Sequence, residues 1–164
     1  MKRIPVLLIG VFLLTHLIAQ DKADPRVFTH PVEVTPNPPG AVKGWTYIKN
    51  WKVGVDSENE QEVSVLQGGY PGQIIKFPFS GKAVGIAVYS GTDSGMIEFS
   101  VDEADWQQLD LFSFPLGTEY TLKYFTLESQ LKGQKHMLQL RMSSDKNPNS
   151  KGHNCILRSF VINE

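Results

Sequence analysis

Hydrophobic and polar residues alternate along most of the chain after residue 44. No stretch carries the 3.6-residue apolar period of an amphipathic helix, whereas short alternating runs are separated by Gly, Pro, Asn, Ser and Asp. Short alternating runs bounded by turn-forming residues are typical of β-strands. The runs predict nine strands, at residues 45–54, 61–67, 73–79, 83–90, 95–102, 106–112, 120–128, 135–143 and 154–163. Short strands at nearly regular spacing favour an all-β fold, an antiparallel β-sandwich of jelly-roll type.

The alternation also separates a core face from an outer face in the middle strands. The bulky apolar residues predicted to form the core are Ile75, Phe77, Phe79, Val84, Ile86, Val88, Ile97, Phe99, Val101, Leu109 and Leu111. The opposite faces carry Ala83, Gly85, Ala87, Tyr89, Met96, Glu98, Ser100, Asp102, Trp106, Gln108, Asp110 and Phe112. If these strands adjoin, one wall of the sandwich presents small residues beside carboxylates and aromatic rings.

Such a wall suits a sugar, because the C–H face of a pyranose stacks on an aromatic ring while its hydroxyls pair with planar polar groups. The alternatives are an ordinary solvated outer face, or a face covered by the N-terminal part of the chain. The long polar loop at 143–154 could extend a binding surface through Asn147 and Lys151, although a solvated loop is the alternative there as well.

The first 43 residues have a different character. Met-Lys-Arg precedes an apolar run that ends near Ala19, which predicts a secretory signal over residues 1–19. The alternative, an uncleaved membrane anchor, is disfavoured because the run is shorter than the roughly 20 residues of a spanning helix and contains His16. Five of the ten prolines fall in residues 20–43, which predict a linker or a draped arm. The sandwich domain is then residues 44–164 of a periplasmic or extracellular protein.

The net charge argues against nucleic acid as a partner, and the cysteine content excludes a disulfide framework. The whole chain has a formal net charge of −1, and removal of Lys2 and Arg3 with the signal leaves 14 basic against 17 acidic residues, a net charge of −3. A chain with this net charge lacks the excess of Lys and Arg that binding to the phosphates of nucleic acid requires. Cys155 is the only cysteine, so no intramolecular disulfide exists and an ordinary core must hold the fold. A lone thiol of this kind is most often a small buried hydrophobe.

A short motif, Thr92-Asp93-Ser94-Gly95, raises the question of a serine nucleophile. Such a nucleophile requires a general base, an orienting group and an oxyanion hole. The histidines after the signal are His30 in the proline-rich arm, His136 at a strand start and His153 in a loop. Strands flank the motif on both sides and no helix follows it, so the glycines indicate a hairpin turn and no catalytic residue is predicted.

Two acidic runs could either face solvent or bind a metal ion, and two tryptophans near the first predicted strand are expected to be structural. The runs, Asp56, Glu58, Glu60 and Glu62, then Asp102, Glu103 and Asp105, are predicted to be solvated, with a structural calcium ion as the alternative. No other cofactor is expected. Alternation places Trp45, Tyr47, Lys49 and Trp51 on one face, where a role in the core or beneath the arm is the default.

Three segments together resemble a known family. They are F-S-G-K-A-V-G-I-A-V-Y-S-G-T-D-S-G-M-I-E-F-S-V-D at 79–102, L-D-L-F at 109–112, and H-M-L-Q-L-R-M-S-S-D-K-N-P-N-S-K-G-H-N-C-I-L-R-S-F-V-I-N at 136–163. They are similar to the accessory β-sandwich of secreted bacterial GDSL/SGNH-type esterases. The resemblance implies a galactose-binding-like or jelly-roll module beside a catalytic domain that acts on acylated glycans. The sequence lacks the Gly-Asp-Ser block and the Asp-x-x-His of those enzymes, so their esterase activity cannot be assigned to any residue here.

These observations give a first functional hypothesis and two alternatives. The first is an exported, non-catalytic module that binds carbohydrate by stacking on Tyr89 or Trp106 and by hydrogen bonds to carboxylates. The residues predicted to bind the glycan are Tyr89, Glu98, Trp106, Asp110, Asn147 and Lys151. The second hypothesis is a scaffold that docks a separate glycan-processing esterase or an envelope partner. The third is an autonomous hydrolase that uses Ser94.

Overall fold

The computed structural model describes residues 28–36, 43–53, 61–71, 74–113 and 120–163. Every regular element in these ranges is a β-strand. The strands are β1 (Pro31–Val34), β2 (Trp45–Val53), β3 (Gln61–Gly68), β4 (Ile75–Gly81), β5 (Ala83–Ser90), β6 (Met96–Val101), β7 (Gln107–Asp110), β8 (Thr121–Glu128), β9 (Gln134–Met142) and β10 (Cys155–Asn163). All nine predicted strands are confirmed, with ends that agree to within two residues. The proposed signal at 1–19 and the acidic residues Asp56, Glu58 and Glu60 lie outside the described residues.

The strands form two antiparallel sheets packed as a β-sandwich, which confirms the predicted fold class. One sheet has the order β2-β3-β10-β5-β8, with β1 also paired to β10, and the other has the order β4-β9-β6-β7. Most connections pass from one sheet to the other, as in jelly-roll folds rather than simple meanders. The described ranges contain no helix with the length and hydrophobicity that crossing a bilayer requires.

The core lies between the sheets and is built from the predicted alternating residues. Val84, Ile86 and Val88 of β5 and Ile97 and Phe99 of β6 are all buried in one apolar cluster. Of the predicted core set, Phe77 is only partly buried, and its ring stacks on Phe160 across the sheets at a centroid distance of 4.0 Å. Cys155 lies in the same cluster, fully buried, and burial raises the pKa of its thiol to about 12.

The segment between β5 and β6 is a crossover, so the predicted hairpin turn is wrong. β5 belongs to the six-stranded sheet and β6 to the four-stranded sheet, and Gly91–Gly95 carries the chain from one to the other. The backbone N–H of Gly95 donates to the Asn154 carbonyl at 2.8 Å, and Ser94 forms an isolated parallel bridge with Asn154. The residues joining β5 to β6 therefore pair with the start of β10 instead of closing a ladder between the two strands.

The N-terminal arm supplies a strand that the proline content did not predict. β1 pairs with β10 in the register Pro31↔Asn163 to Val34↔Phe160. Pro31 is the first residue of the strand, a position at which the missing N–H of proline is tolerated. Ahead of it, Phe28 is buried against Ala83 and Ala87. The described part of the arm, residues 28–36, thus lies against the six-stranded sheet, and Phe28 covers the outer face of β5.

A β-bulge in β2 corrects the prediction that Trp45 and Trp51 share a face. The β2–β3 register shifts between Ile48 and Trp51. Because side chains alternate along a strand, a one-residue change in register moves the following side chains to the other face. Trp45 therefore lies in the core, whereas Trp51 packs on the outer face of the six-stranded sheet beside Tyr89.

Candidate functional site

The outer surface of the four-stranded sheet carries most of the polar side chains predicted to form a site. We call it the polar face; its residues are Ile74 and Lys76 at β4, Gln139 and Arg141 on β9, Glu98 and Ser100 on β6, and Trp106, Gln108 and Asp110 at β7. The register sets Glu98 opposite Arg141 on one side and opposite Gln108 on the other. Strict alternation along each strand directs these side chains away from the core.

At the centre of the polar face, Glu98, Arg141 and Trp106 form a stack. Arg141 donates from Nε and lies within 2.6 Å of Glu98 Oε2 with both Nε and Nη2. Its guanidinium carbon is 4.1 Å from the centroid of the Trp106 ring, a cation–π contact. Trp106 is 38% exposed to solvent. The indole is therefore held against a charge-paired guanidinium while much of its surface stays open to solvent.

The loop after β9 docks onto the same face. The side-chain amide of Gln108 donates to Ser143 Oγ at 3.0 Å and to Asp145 Oδ2 at 3.2 Å. Ser143 Oγ in turn donates to Glu98 Oε1 at 3.1 Å. Through Ser143, the loop completes the hydrogen bonding of the central carboxylate, because Arg141 occupies the other oxygen of Glu98.

Asp110 and Asn147 meet at the same end of the sheet. Asn147 Nδ2 donates to Asp110 Oδ2 at 2.6 Å, and the backbone N–H of Phe112 donates to Asp110 Oδ1 at 2.9 Å. The structure thus brings together four of the predicted residues, Glu98, Trp106, Asp110 and Asn147. Glu98 Oε1 and both Asp110 oxygens each accept one hydrogen bond and retain a lone-pair direction for a further donor, whereas Glu98 Oε2 is occupied by Nε and Nη2 of Arg141.

The opposite end of the polar face is bounded by a pinned turn. Asp102 and Glu103 have left-handed φ values of 54° and 62°, and the Ala104 N–H donates back to the Val101 carbonyl at 3.1 Å. The Asp102 carboxylate accepts a hydrogen bond from the Met137 N–H at 2.9 Å and lies 2.6 Å from His136 Nδ1. The predicted acidic tip is therefore tied to β9 through Asp102 and does not extend freely into solvent.

The surroundings of His136 favour its protonated form. Nδ1 faces the Asp102 carboxylate, and Nε2 lies 2.7 Å from the Lys132 carbonyl oxygen. Both partners are acceptors, so both ring nitrogens must donate. The Lys132 carbonyl, followed by Asp102, raises the pKa of His136, and the hydrogen bond from His136 lowers the pKa of Asp102. Among the described residues, no three His, Cys, Asp or Glu side chains are grouped to hold a metal ion.

Tyr89 is not part of the polar face, which corrects the prediction of a continuous wall. Because the chain crosses between the sheets after β5, Tyr89 points to the outer side of the other sheet, buried beneath Trp51 at a centroid distance of 4.8 Å. Burial raises the pKa of Tyr89. Lys151 is exposed, and its backbone N–H donates to the Thr92 carbonyl at 2.8 Å, so it belongs to the part of the loop packed on the crossover.

Ser94 is placed as a structural residue of the crossover. Its side chain is buried, and its Oγ accepts a hydrogen bond from the Gly91 N–H at 2.9 Å. The neighbouring Asp93 accepts hydrogen bonds from the Tyr120 hydroxyl at 2.8 Å and from Asn154 Nδ2 at 2.6 Å. These contacts tie the crossover to the start of β8 and to the start of β10.

Several residues of the polar face were not predicted. Alternation along β9, whose inward residues are Leu138, Leu140 and Met142, contains the signal that would have placed Arg141 on an outer face, but its position beside Glu98 depends on the order of the strands. Ser143 and Asp145 follow the strand in a loop, and no periodicity constrains them. Their role depends on a path of the chain that only the three-dimensional structure reveals.

The comparisons with known proteins identify a shared fold. No family model matches the chain, and no curated protein matches it. Among solved structures, a two-domain esterase (CEX) active on acetylated mannans, co-crystallized with mannopentaose, matches with a TM-score of 0.54 at 11% identity, covering 84% of this chain and 38% of the esterase. A second crystal structure of the two-domain esterase matches with a TM-score of 0.53 at 12% identity, with 84% and 37% covered.

The chain therefore spans little more than a third of the length of the esterase it matches. It has the fold of part of a two-domain carbohydrate esterase, and the likeness at this identity concerns the fold alone. The predicted relation to esterase-associated sandwich modules is supported at that level, without distinguishing the GDSL/SGNH type.

Proposed function

We propose that this protein is an exported, non-catalytic carbohydrate-binding or accessory module and that its polar face binds a glycan. Trp106 stacks on the C–H face of a sugar ring, while Glu98 and Asp110 accept hydrogen bonds from hydroxyl groups and Asn147 supports Asp110. Export rests on the apolar segment at residues 1–19. The relation to esterase-associated modules rests on the sequence resemblance and on the shared fold.

The observation that carries this proposal is the stack of Trp106 on the Glu98–Arg141 pair. A ring held by a guanidinium that is itself held by a carboxylate loses little further freedom when a ligand arrives, so less of the binding free energy is spent on ordering. Aromatic rings beside convergent polar groups are the usual components of a small-molecule site. The polar face combines both on one rigid sheet.

The absence of a catalytic role is part of the proposal. It is supported by Ser94, whose hydroxyl is buried and hydrogen-bonded to the Gly91 amide within the crossover. A nucleophilic serine needs an accessible oxygen next to a base. The glycan-binding residues, in contrast, lie on the solvent side of the four-stranded sheet.

The proposal is tested by isothermal titration calorimetry of the mature protein with acetylated mannan and with manno-oligosaccharides. These probes are chosen because the matched esterase acts on acetylated mannans. Trp106→Ala is expected to weaken binding at least about tenfold through loss of the stacking surface. Tyr70→Ala is the matched control, since Tyr70 is an aromatic residue with 75% exposure that lies outside the polar face. Absence of binding to these and to a wider glycan array would refute the proposal.

A docking role beside a separate esterase is the second candidate. It is favoured by the coverage of the match, in which this fold forms 38% of a longer two-domain enzyme. Affinity capture from the native extract distinguishes the two roles. A stoichiometric esterase that is retained equally by wild type and Trp106→Ala, without glycan affinity, would favour docking.

A further inference from the structure

The polar face is bounded by a docked loop at one end of its strands. At one end the 143–150 loop docks on β7, where Asn147 reaches Asp110 and where Ser143 and Asp145 reach Gln108. At the other end the β6–β7 turn is fastened to β9 by the hydrogen bonds of Asp102. A ligand lying along the strands therefore meets the docked loop at the β7 end of the face.

Across its strands, the polar face runs from one edge of its sheet to the other. β4 and β7 are the edge strands of this sheet in the described part of the chain. Ile75 pairs with Leu140, so the preceding residue, Ile74, lies opposite Arg141, the next residue of β9. Ile74 and Trp106 are exposed by 37% and 38% and lie at opposite edges, with Arg141 and Glu98 between them.

The distance between the two edges matches a short stretch of polysaccharide. Neighbouring strands lie about 4.8 Å apart, so the three intervals from β4 to β7 span about 14 Å, roughly the length of three pyranose units. An apolar contact at each end, with hydrogen-bonding groups between, repeats the alternation of C–H faces and hydroxyls along a linear sugar chain. Because no described strand pairs beyond β4 or β7, the sugar chain can continue past the sheet on either side.

The charges on the face favour an uncharged ligand. Glu98 is neutralised by Arg141, and the carboxylate of Asp110 accepts the Asn147 amide and a backbone N–H. An anionic sugar would lie against these carboxylates, whereas the Arg141 guanidinium is already paired with Glu98 and stacked on Trp106, and Lys76, the other cation of the face, lies on the opposite edge strand from Trp106. Neutral hydroxyls can donate to the remaining lone pairs without any change in the existing bonds.

Building on the proposed function, we propose that the polar face is a trough that runs across the four strands from Ile74 to Trp106 and binds an internal stretch of about three units of an unbranched, neutral glycan. Trp106 and Ile74 contact the outer two sugar units. Glu98 and Gln108 face the hydroxyls between them. Recognition is of the middle of a chain and not of its end.

The test is calorimetry with mannose and with manno-oligosaccharides of two to six units. Affinity is expected to rise about tenfold or more from one unit to three and then to level off. Ile74→Ser should weaken binding of the trisaccharide about fivefold, and Trp106→Ala should weaken it at least as much. Tyr70→Ala is the control, and equal melting temperatures establish that each variant is folded.

The outcomes separate this inference from the proposed function. If no mannan or glycan of the wider array binds, both fail. If glycan binds but the affinity is independent of chain length, or Ile74→Ser has no effect on the trisaccharide, the trough is wrong and the proposed function stands. Tighter, salt-sensitive binding of oligogalacturonate than of manno-oligosaccharides would overturn the assignment to a neutral chain.

Discussion

The contact between His136 and Asp102 should make the stability of this protein depend on pH in a specific window. The perturbation is Asp102→Asn, which removes the carboxylate charge and retains a side chain suited to the left-handed φ of 54° at this position. In the wild type, the Asp102 carboxylate lies 2.6 Å from His136 Nδ1 and 2.9 Å from the Met137 backbone nitrogen, and the variant weakens both hydrogen bonds. His136 itself keeps its bond to the Lys132 carbonyl.

The magnitude follows from the burial of the two partners. A hydrogen bond to a charged group contributes about 1.5–3 kcal/mol, and an exposed ion pair contributes about 0–1 kcal/mol. The His136 side chain is 3% exposed but that of Asp102 is 46% exposed, so solvent screens part of the interaction. We expect Asp102→Asn to lower the free energy of unfolding by about 1–2 kcal/mol at pH 5.5.

The direction of the pH effect follows from the two pKa shifts. The pKa of His136 is raised above its usual 6.5, so its contribution is complete below pH 6.5 and is lost as the pH rises through the folded-state value. The pKa of Asp102 is lowered below 3.8, so its contribution is present above pH 3.8 and is lost as the pH falls through the folded-state value. Both contributions are present between pH 3.8 and 6.5.

Urea unfolding at pH 5.5 and 8.5 measures this effect. Wild type should lose more stability between the two values than Asp102→Asn, because the variant has already lost most of the coupling. Asp105→Asn, which removes an exposed charge from the same segment, is the control and should behave as wild type. An equal loss of stability in wild type and Asp102→Asn would show that the His136–Asp102 contact carries no linkage.

Three further predictions concern buried positions. Ser94→Ala should lower the free energy of unfolding, measured in urea, by about 1 kcal/mol, because one buried hydrogen bond is lost. Wild type and Ser94→Ala should hydrolyse a chromogenic acyl ester at the same rate. Loss of an esterase activity in the variant would contradict a structural role for Ser94. Gly85→Ala should cost about 1–3 kcal/mol in the same assay, because the added Cβ would lie 2.4 Å from the Phe125 carbonyl oxygen, whereas Gly133→Ala meets no atom closer than 3.7 Å and should have little effect. Cys155 should resist a thiol reagent in the native protein and react fully in urea, because it is fully buried and its pKa is raised to about 12; rapid native reaction would contradict its burial.

The sequence allowed the strands to be located because alternation is a local property. A buried face and a wet face differ at every second residue, which is why the inward positions Ile86, Val88 and Ile97 could be identified without knowledge of neighbours. The prediction of one continuous outer face that includes Tyr89 was wrong because the relation between strands is not a local property. Alternation assigns a residue to one side of its own strand but does not say which strand lies beside it or in which sheet.

Local irregularities were also beyond the alternating pattern. The bulge between Ile48 and Trp51 reverses the side to which Trp51 points, and no glycine or proline in β2 marks it. The prolines before residue 44 argued against a strand in that segment, so β1 was not predicted. Proline at the start of an edge strand is nevertheless compatible with pairing, as Pro31 is paired in β1. For the candidate site, Glu98, Trp106 and Asp110 were found from alternation, whereas the loop residues that complete it depend on contacts distant in sequence.

The pairing of β1 with β10 has a practical consequence for how the protein can be handled. Pro31 and Asn163 are direct partners, and the His30 N–H donates to Asn163 Oδ1 at 3.1 Å, so the two ends of the sandwich emerge side by side. A short linker could join them, and new termini could then be opened in an exposed loop. A biotin or a solid support attached near either end would anchor the molecule through the six-stranded sheet. The attachment point would then lie outside the four-stranded sheet that carries the polar face.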